Sequence, residues 1–410
     1  MMMALRQPGS TRADQSRFLP VMALATALLL LLGSINASAQ NSGVAYEAEV
    51  LAIVTAIQNG DLEQALQLAE QHVEAVPKSR IGHLLKADIL LAMSSVPVDI
   101  GARSDLPSEA LHGLKQQIKN RWRHLKETSA MLDNKVPASL LDIGKHKHVI
   151  VTDMEAGRLY LYRNGEKYPE LVRDYYLSVG SQGFGKELEG DNKTPVGVYS
   201  IYKHIEGKEL PDLYGKGAYP VNYPNRFDRS RKRTGYGIWL HGTPSNTYAR
   251  APWASEGCFV LSNDDLLDIE QFIDVDERTP VILADSIEWI SLAELDTRRK
   301  QFMSILSSWK QDWESLNTNA YLDHYSQEQF NFSGKGFRPW ASRKQQINRS
   351  KTFVQIDLDI ESLFLYPGEE DMFIVQYKQR YLSNNYAGET NKEQYWQRNK
   401  RGRWKIIYEG

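Results

Sequence analysis

The chain has 410 residues, of which 42% are hydrophobic and 24% are charged, and its formal net charge is −2. This composition is typical of a globular protein and excludes a largely disordered chain. Acidic and basic residues are interspersed and nearly balanced, so the sequence carries no electrostatic footprint for a nucleic-acid partner. The length predicts two or three domains.

The first 39 residues predict an export signal. Three arginines and one aspartate precede an apolar run at 21–32, and the small-residue pattern Ala37-Ser38-Ala39 follows it. A basic segment, a short apolar segment and a small-residue cleavage site are together typical of a cleavable signal peptide. We therefore expect residues 1–39 to be removed and the protein to be periplasmic or otherwise exported. The alternative is an uncleaved N-terminal anchor.

Residues 40–130 predict a helical module, because apolar residues recur there at helical spacing. The predicted helices cover 45–57, 62–76, 80–93 and 108–130. Asp61 is suited to cap the second helix. The segment that begins at Gly60-Asp61-Leu62 resembles part of a tetratricopeptide repeat. Only one such repeat is visible, which favours the alternative of a small bundle packed on the next domain.

Residues 146–285 change to an alternating pattern that predicts a mostly β domain with short strands separated by Gly, Asn and Asp turns. The predicted strands lie at 149–152, 158–162, 175–179, 196–202, 236–240 and 279–284. Ser262 begins a segment that predicts a capped helix ending near residue 273.

Residues 295–410 predict an α+β domain. A long amphipathic helix at 295–316 precedes four aromatic-rich strands at 352–358, 372–382, 393–399 and 403–408. This order of elements resembles the cone of nuclear-transport-factor-like domains. The predicted fold class is therefore a multidomain α+β protein, with a mostly β domain between a helical module and an α+β cone.

Cys258 is the only cysteine, and it lies in the run Ser255-Glu256-Gly257-Cys258. A single cysteine in an exported protein has no disulfide partner in its own chain. Two interpretations remain, an inert buried thiol or a nucleophile whose proton passes to a histidine. His241, in the run Trp239-Leu240-His241-Gly242, is the candidate histidine.

Two stretches together, Gly190–Tyr199 and His241–Asn263, resemble the catalytic domain of the YkuD-type L,D-transpeptidases. The resemblance implies peptidoglycan stem peptides as substrates, release of D-alanine and a thioester on the cysteine. An amine then takes the acyl group, from a second stem, a D-amino acid or a lysine of an outer-membrane lipoprotein. With water as the acceptor the same domain is a carboxypeptidase, and relatives that reverse the lipoprotein link are amidases. The resemblance implies no cofactor and no metal, and the oligomeric state is left open.

The resemblance also assigns roles to residues. Cys258 is the nucleophile and His241 its base, oriented by a main-chain carbonyl. Ser255 and Gly257 shape the turn before the cysteine, where the N–H groups of Cys258 and Gly257 are candidate oxyanion donors. The candidate substrate-binding residues are Arg250, Gly242, Thr243 and Tyr236, with Arg250 holding a stem carboxylate.

The sequence departs from the usual pattern of these enzymes at two positions. Glu256 stands where many members have histidine, and Val260 stands where many have arginine. A carboxylate beside the nucleophile disfavours the thiolate unless a cation such as Arg250 pairs with it. These departures keep open a third hypothesis, in which the protein is a non-catalytic scaffold that binds the cell wall.

A basic segment precedes the histidine strand and comprises Arg226 and residues 229–233. A solvated face is the default interpretation of such a charge run. Its position in the sequence close to His241 gives an alternative, which is binding of an anionic polymer.

Overall fold

The computed structural model describes residues 42–94, 100–101, 104–131, 134–332, 334–369 and 371–410. The predicted signal peptide at 1–39 lies outside the described residues. No helix in the described ranges combines the length and the apolar character needed to cross a membrane. The described chain forms a helical region, a mostly β region and an α+β region, as the predicted fold class requires.

The helical region has four helices that share one apolar core. They are α1 (Ser42–Gln58), α2 (Leu62–Ala75), α3 (Arg80–Met93) and α4 (Ser108–Met131). Asp61 caps α2 by accepting the Gln64 N–H at 3.0 Å, and this cap is the one predicted from the sequence. Val50, Leu85 and Ile118 represent three of these helices in the core.

The mostly β region contains thirteen strands. They are β1 (Lys135–Pro137), β2 (His148–Asp153), β3 (Arg158–Asn164), β4 (Pro169–Tyr176), β5 (Val179–Gly180), β6 (Gly197–Ser200), β7 (Ile205–Glu206), β8 (Gly217–Pro220), β9 (Trp239–His241), β10 (Trp253–Ser255), β11 (Phe259–Val260), β12 (Pro280–Ala284) and β13 (Trp289–Ser291). Two helices lie among them, α5 (Arg226–Ser230) and α6 (Asn263–Glu270). Ser262 caps α6, as predicted, by accepting the Asp265 N–H.

Two sheets organise this region. The first has the order β4-β3-β2-β12-β6, and the second has the order β11-β9-β8-β7. Apolar side chains from both sheets, including Leu161, Leu240, Phe259 and Leu283, form one core. The sequence did not predict the pairing of β1 with β13, because each strand is only three residues long and the two lie far apart in the chain.

In the α+β region, aromatic side chains pack between the helices and a long sheet. Its helices are α7 (Leu292–Glu314), α8 (Thr318–Asp323) and α9 (Phe337–Arg349). Its strands are β14 (Asn331–Phe332), β15 (Lys335–Gly336), β16 (Val354–Leu365), β17 (Met372–Ser383), β18 (Tyr386–Arg398) and β19 (Trp404–Glu409). Trp309 and Trp313 lie on the buried face of α7, which is the amphipathic helix predicted at 295–316.

A buried charge network joins the helical region to the first β sheet. Arg158 of β3 donates to Glu47 of α1 at 2.7 Å and also contacts Asp174, while Arg121 of α4 contacts the same Glu47 carboxylate. Burial alone would raise the pKa of Glu47, but the two guanidinium groups lower it overall. The helical region is therefore fixed to the β region by paired buried charges, as the alternative of a packed bundle requires.

The basic segment before β9 connects the β region to the C-terminal sheet. Phe227 of α5 stacks on Tyr395 of β18, with ring centroids 4.2 Å apart. Arg233 contacts Asp228 at 3.1 Å and Glu369 at 3.5 Å. The expectation of a solvated face therefore holds for the exposed Arg229 and is wrong for Arg233, which bridges two carboxylates.

Candidate active site

The predicted base lies in β9, and the predicted nucleophile directly precedes β11, the parallel neighbour of β9. In the pairing of β9 with β11, Phe259 lies opposite Leu240 and Val260 lies opposite His241. The Phe259 and Leu240 side chains are both fully buried in one core. Because side chains alternate along a strand, His241 points to the other face, and the same alternation continued one residue before β11 predicts that face for Cys258.

The turn before Cys258 is held by Ser255. Its hydroxyl donates to the Cys258 carbonyl at 2.5 Å and accepts the Gly257 N–H at 3.1 Å. Gly257 has φ +121°, and a Cβ at this position would lie 2.8 Å from the Lys193 carbonyl oxygen. Only glycine therefore fits this turn.

The two candidate oxyanion donors in this turn differ in whether their N–H group already has an acceptor. The Gly257 N–H is already used by Ser255. Within the described part of the chain, the Cys258 N–H has no assigned acceptor. Of the two predicted donors, only that of Cys258 is free to bind a developing oxyanion.

The His241 ring is fixed in one tautomer. Its Nδ1 lies 2.7 Å from the Gly242 carbonyl oxygen, and a carbonyl can only accept, so Nδ1 carries the proton and Nε2 is the basic nitrogen. The side chain is buried, and this burial lowers the pKa of His241 to about 4 despite the opposing Gly242 hydrogen bond. The imidazole is therefore neutral at neutral pH.

The Cys258 thiol is half-buried and donates to the Gly237 carbonyl oxygen at 3.3 Å. Burial raises the pKa of Cys258 to about 11, although a main-chain hydrogen bond from Trp239 and the charge of Arg250 oppose the rise. Nucleophile and base are thus both neutral at neutral pH. Transfer of the proton to His241 requires the S–H bond to turn away from Gly237.

Arg250 lies close to both residues. Its charge lowers the pKa of His241 and that of Cys258, after the larger effects of burial. Its Nη1 donates to the Ala254 carbonyl oxygen at 3.3 Å, and no described carboxylate forms an ion pair with it. Arg250 and Glu256 form no ion pair, although the Glu256 charge still opposes the lowering of the Arg250 pKa by burial.

The three remaining predicted binding residues, Gly242, Thr243 and Tyr236, have different surroundings. Gly242 packs so closely on Asn263 that a Cβ would overlap the Asn263 Oδ1. Thr243 is buried and its hydroxyl donates to the Tyr248 carbonyl oxygen at 3.2 Å, so it is already used within the loop. The Tyr236 side chain is 77% exposed, next to the Gly237 carbonyl that receives the thiol.

Tyr214 completes the site and was not anticipated from the sequence. Its ring lies 5.0 Å from the His241 ring and 4.9 Å from that of Trp239, centroid to centroid. Its pKa is raised by burial and by the negative charges that Cys258 and Glu256 can carry. It lies in the one-turn 3-10 helix Asp212–Tyr214, where no local sequence signal marks a functional residue.

The loop that leads into the first motif stretch, Gly190–Tyr199, packs against the turn before Cys258. Lys186 pairs with Asp191 at 2.7 Å, and the Asp191 carboxylate also accepts the N–H groups of Glu187, Leu188 and Lys193. Burial alone would raise the pKa of Asp191, but these donors lower it to about 2. These hydrogen bonds cross-link the loop, whose Lys193 carbonyl lies close to Gly257.

Metal ligands do not gather at this site. In the described ranges, no group of three or more His, Cys, Asp or Glu side chains is placed to hold a metal ion. The chemistry available to these residues is that of a thiol, an imidazole, a guanidinium and main-chain donors.

Comparison with known families defines the class of domain. Residues 147–283 match the L,D-transpeptidase catalytic domain, and residues 301–410 match the Cds6 C-terminal NTF2-like domain. Both resemblances drawn from the sequence are thereby confirmed, and peptidoglycan is the substrate that the first domain implies.

Two solved structures are similar over most of the chain. One is Bd1075 of Bdellovibrio bacteriovorus, 28% identical, covering 67% of this chain and 97% of its own, with a TM-score of 0.59. The other is the helical cell shape determining protein Pgp2 of Campylobacter jejuni, 27% identical, covering 69% of this chain and 97% of its own, with a TM-score of 0.58. A search of the curated proteins gave no match.

Proposed function

We propose that this protein is an exported cysteine L,D-transpeptidase that acts on tetrapeptide stems of peptidoglycan through a thioester on Cys258. The observation that carries the proposal is that Cys258 directly precedes β11, the parallel neighbour of the strand that carries His241, with His241 Nε2 left as the basic nitrogen. The matching catalytic domain gives the substrate class.

The neutral state of both groups favours general-base catalysis over a preformed ion pair. With the pKa of Cys258 at about 11 and that of His241 at about 4, a resting thiolate–imidazolium pair is strongly disfavoured. Nε2 therefore takes the thiol proton as the sulfur attacks the carbonyl carbon at the L-centre of the diamino acid. The Cys258 N–H donates to the oxyanion that forms.

The proton that His241 takes from the thiol is passed on when the leaving group departs. Collapse of the tetrahedral intermediate breaks the C–N bond, and the imidazolium protonates the departing D-alanine nitrogen. The acyl group remains as a thioester on Cys258. An acceptor amine then attacks the thioester carbonyl, His241 takes the amine proton, and the proton passes to the leaving thiolate.

Arg250 is suited to hold a carboxylate of the stem, because its guanidinium is half-buried and has donors that no described carboxylate uses. Burial lowers the pKa of Arg250, but a guanidinium stays charged at any physiological pH. An anionic substrate group would replace the solvent that this charge has lost.

The biological role that we propose is remodelling of the cell wall in a way that affects cell shape. This role is supported by the similarity to Pgp2, which is described as a determinant of helical cell shape. The export signal at residues 1–39 would deliver the protein to the compartment that holds peptidoglycan.

Product analysis tests the function and identifies the acceptor. Purified protein is incubated with disaccharide-tetrapeptide muropeptides, and the products are separated and identified by mass spectrometry. Cross-linked dimers between diamino acids support transpeptidation, whereas tripeptides alone indicate a carboxypeptidase. Wild-type protein that leaves the tetrapeptides intact, as Cys258→Ala and His241→Ala should, would favour the wall-binding scaffold.

A further inference from the structure

A groove lies between the N-terminal helices and the loop that follows His241. Its volume is about 830 Å³, and its walls are apolar, with Leu84 and Leu91 from α3, Leu114 from α4, and Ala251 and Ala254 from the loop. Arg80, His83 and Asp88 of α3 add polar groups to the lining. A groove of this size is larger than one amino-acid side chain requires.

The groove shares Arg250 with the candidate active site. Arg250 lines it, and the charge of the same guanidinium acts on both Cys258 and His241. Ala254 also lines it and directly precedes Ser255, which holds the turn of the nucleophile. Arg250 and Ala254 therefore link the groove to the segment that carries the nucleophile.

The helices hold the groove in place through buried contacts. Gln117 of α4 is 1% exposed and donates from Nε2 to the Arg250 carbonyl oxygen at 2.5 Å, where the Tyr176 hydroxyl also donates at 3.1 Å. Arg80 of α3 donates to the Thr247 hydroxyl at 3.4 Å. The groove is thus a built feature of the helical and β regions together.

The chemistry of a muropeptide is uneven along its length. The scissile end carries the carboxylates and the amine of the diamino acid and D-alanine. The opposite end carries more methyl groups, on the L-alanyl residue and on the lactyl and N-acetyl groups of the amino sugar, than the scissile end, where D-alanine has one. Leucine and alanine walls suit methyl groups, and the nearby Arg80, His83 and Asp88 suit sugar hydroxyls and amides.

We propose that this groove binds the glycan-proximal end of the donor, that is, the L-alanyl residue and the amino sugar to which the stem is attached. The N-terminal helices then select donors that are still joined to sugar. This inference rests on the proposed function, in which the stem reacts at Cys258 and a stem carboxylate meets Arg250.

A comparison of two donors tests the groove. The kcat/KM for release of D-alanine is measured for disaccharide-tetrapeptide and for the free tetrapeptide. We expect the wild-type protein to prefer the sugar-bearing donor by about 10-fold or more, since each buried methyl group adds to binding. Ala87→Trp and Ala110→Trp place an indole in the groove from exposed positions on α3 and α4 and should reduce this preference towards unity.

A matched control separates the groove from general effects on the helices. Leu90 lies on α3, is 48% exposed and does not line the groove, so Leu90→Trp should keep the wild-type preference. Thermal unfolding of all three variants checks that they fold. Equal kcat/KM for both donors in the wild type, or an unchanged preference in both groove variants, would overturn the inference.

A binding measurement distinguishes failure of the groove from failure of the function. Calorimetry with Cys258→Ala measures the affinity for each donor without turnover. The groove is supported if Cys258→Ala binds the sugar-bearing donor more tightly than the free tetrapeptide and if adding Ala87→Trp to this variant abolishes the difference. This result would support the groove even if the wild-type protein releases no D-alanine. Equal affinities in this protein refute the groove, while normal turnover by the wild type would leave the proposed function standing.

Discussion

Tyr46 in the first helix stacks on Tyr248 in the loop that follows His241, with ring centroids 3.9 Å apart and an interplanar angle of 16°. The Tyr248 carbonyl in turn accepts from the Thr243 hydroxyl, two residues beyond the candidate base. The N-terminal helices therefore brace the loop that carries Arg250. They pack together with the candidate site and do not form an independent module.

The buried charges between these regions give the first prediction. Glu47→Ala leaves the Arg158 and Arg121 guanidinium groups buried without their shared carboxylate. Removing one partner of a buried ion pair typically costs about 3–5 kcal/mol, and we expect a loss of this order in the free energy of unfolding, measured with denaturant. The exposed pair of Arg163 and Glu170 is the control. Glu170→Ala should cost about 0–1 kcal/mol, and equal losses for both variants would contradict the role of the network.

The turn before the nucleophile gives a second prediction. Gly257→Ala places a Cβ 2.8 Å from the Lys193 carbonyl oxygen at φ +121°, so the turn must shift and D-alanine release should fall strongly. Gly183 also has a positive φ, +80°, but a Cβ there meets nothing within 4 Å. Gly183→Ala therefore has only the backbone penalty of about 1–2 kcal/mol and should keep most of the activity. Comparable kcat/KM values for the two variants would show that the turn tolerates a side chain.

The pH dependence of the rate gives a third prediction. Burial lowers the pKa of His241 from 6.5 to about 4, so its basic nitrogen stays unprotonated as the pH falls through the usual histidine range. We expect the acid limb of kcat/KM in the pH profile to lie near this lower value. A limb near 6.5 would mean that the base is not the buried imidazole, or that the imidazole is more exposed than its contacts indicate.

Alkylation of the thiol gives a fourth prediction. Burial raises the pKa of Cys258 from 9.0 to about 11. At neutral pH the thiolate fraction is then lower than that of an ordinary cysteine by on the order of 100-fold, and iodoacetamide should react correspondingly slowly. The rate should rise with pH until the thiol ionises. Rapid labelling at neutral pH would instead indicate a resting thiolate.

Arg250 gives a fifth prediction, through its free donors. Arg250→Gln removes the charge while keeping a hydrogen-bonding side chain. Hydrogen bonds to charged groups are worth about 1.5–3 kcal/mol, so kcat/KM should fall by roughly 10- to 150-fold, chiefly through KM. When the stem carboxylates of the donor are amidated, kcat/KM should fall by the same factor for the wild-type protein and should change little for Arg250→Gln. An unchanged KM for the variant would remove Arg250 from substrate binding.

The features that the sequence predicts correctly are those that depend on a local pattern of residues. The bounds of the third helix, Arg80–Met93, and the caps Asp61 and Ser262 agree with the structure, because helical spacing and capping residues are encoded within a few positions. The pairing of Cys258 with His241 as candidates follows from residue type and motif. Strand ends were less well predicted, and β18 begins at Tyr386, several residues before the predicted start at 393.

Long-range contacts explain what the sequence could not predict. Tyr214 meets His241 because the turn Asp212–Tyr214 packs on Gly242, whose N–H donates to the Tyr214 carbonyl. Gln117 reaches Arg250 from a helix that lies more than a hundred residues earlier in the chain. Neither contact has a local signature, since each arises only when separate elements pack together.

The acylation of Cys258 is the most direct test of the proposed chemistry. Wild-type protein and Cys258→Ala are mixed with disaccharide-tetrapeptide, quenched in acid and examined by intact-protein mass spectrometry. We expect the wild type to gain the mass of the disaccharide-tripeptide acyl group while D-alanine is released, and Cys258→Ala to gain nothing. D-alanine release without a covalent adduct on Cys258 at any quench time, or release that persists in Cys258→Ala, would contradict the thioester mechanism.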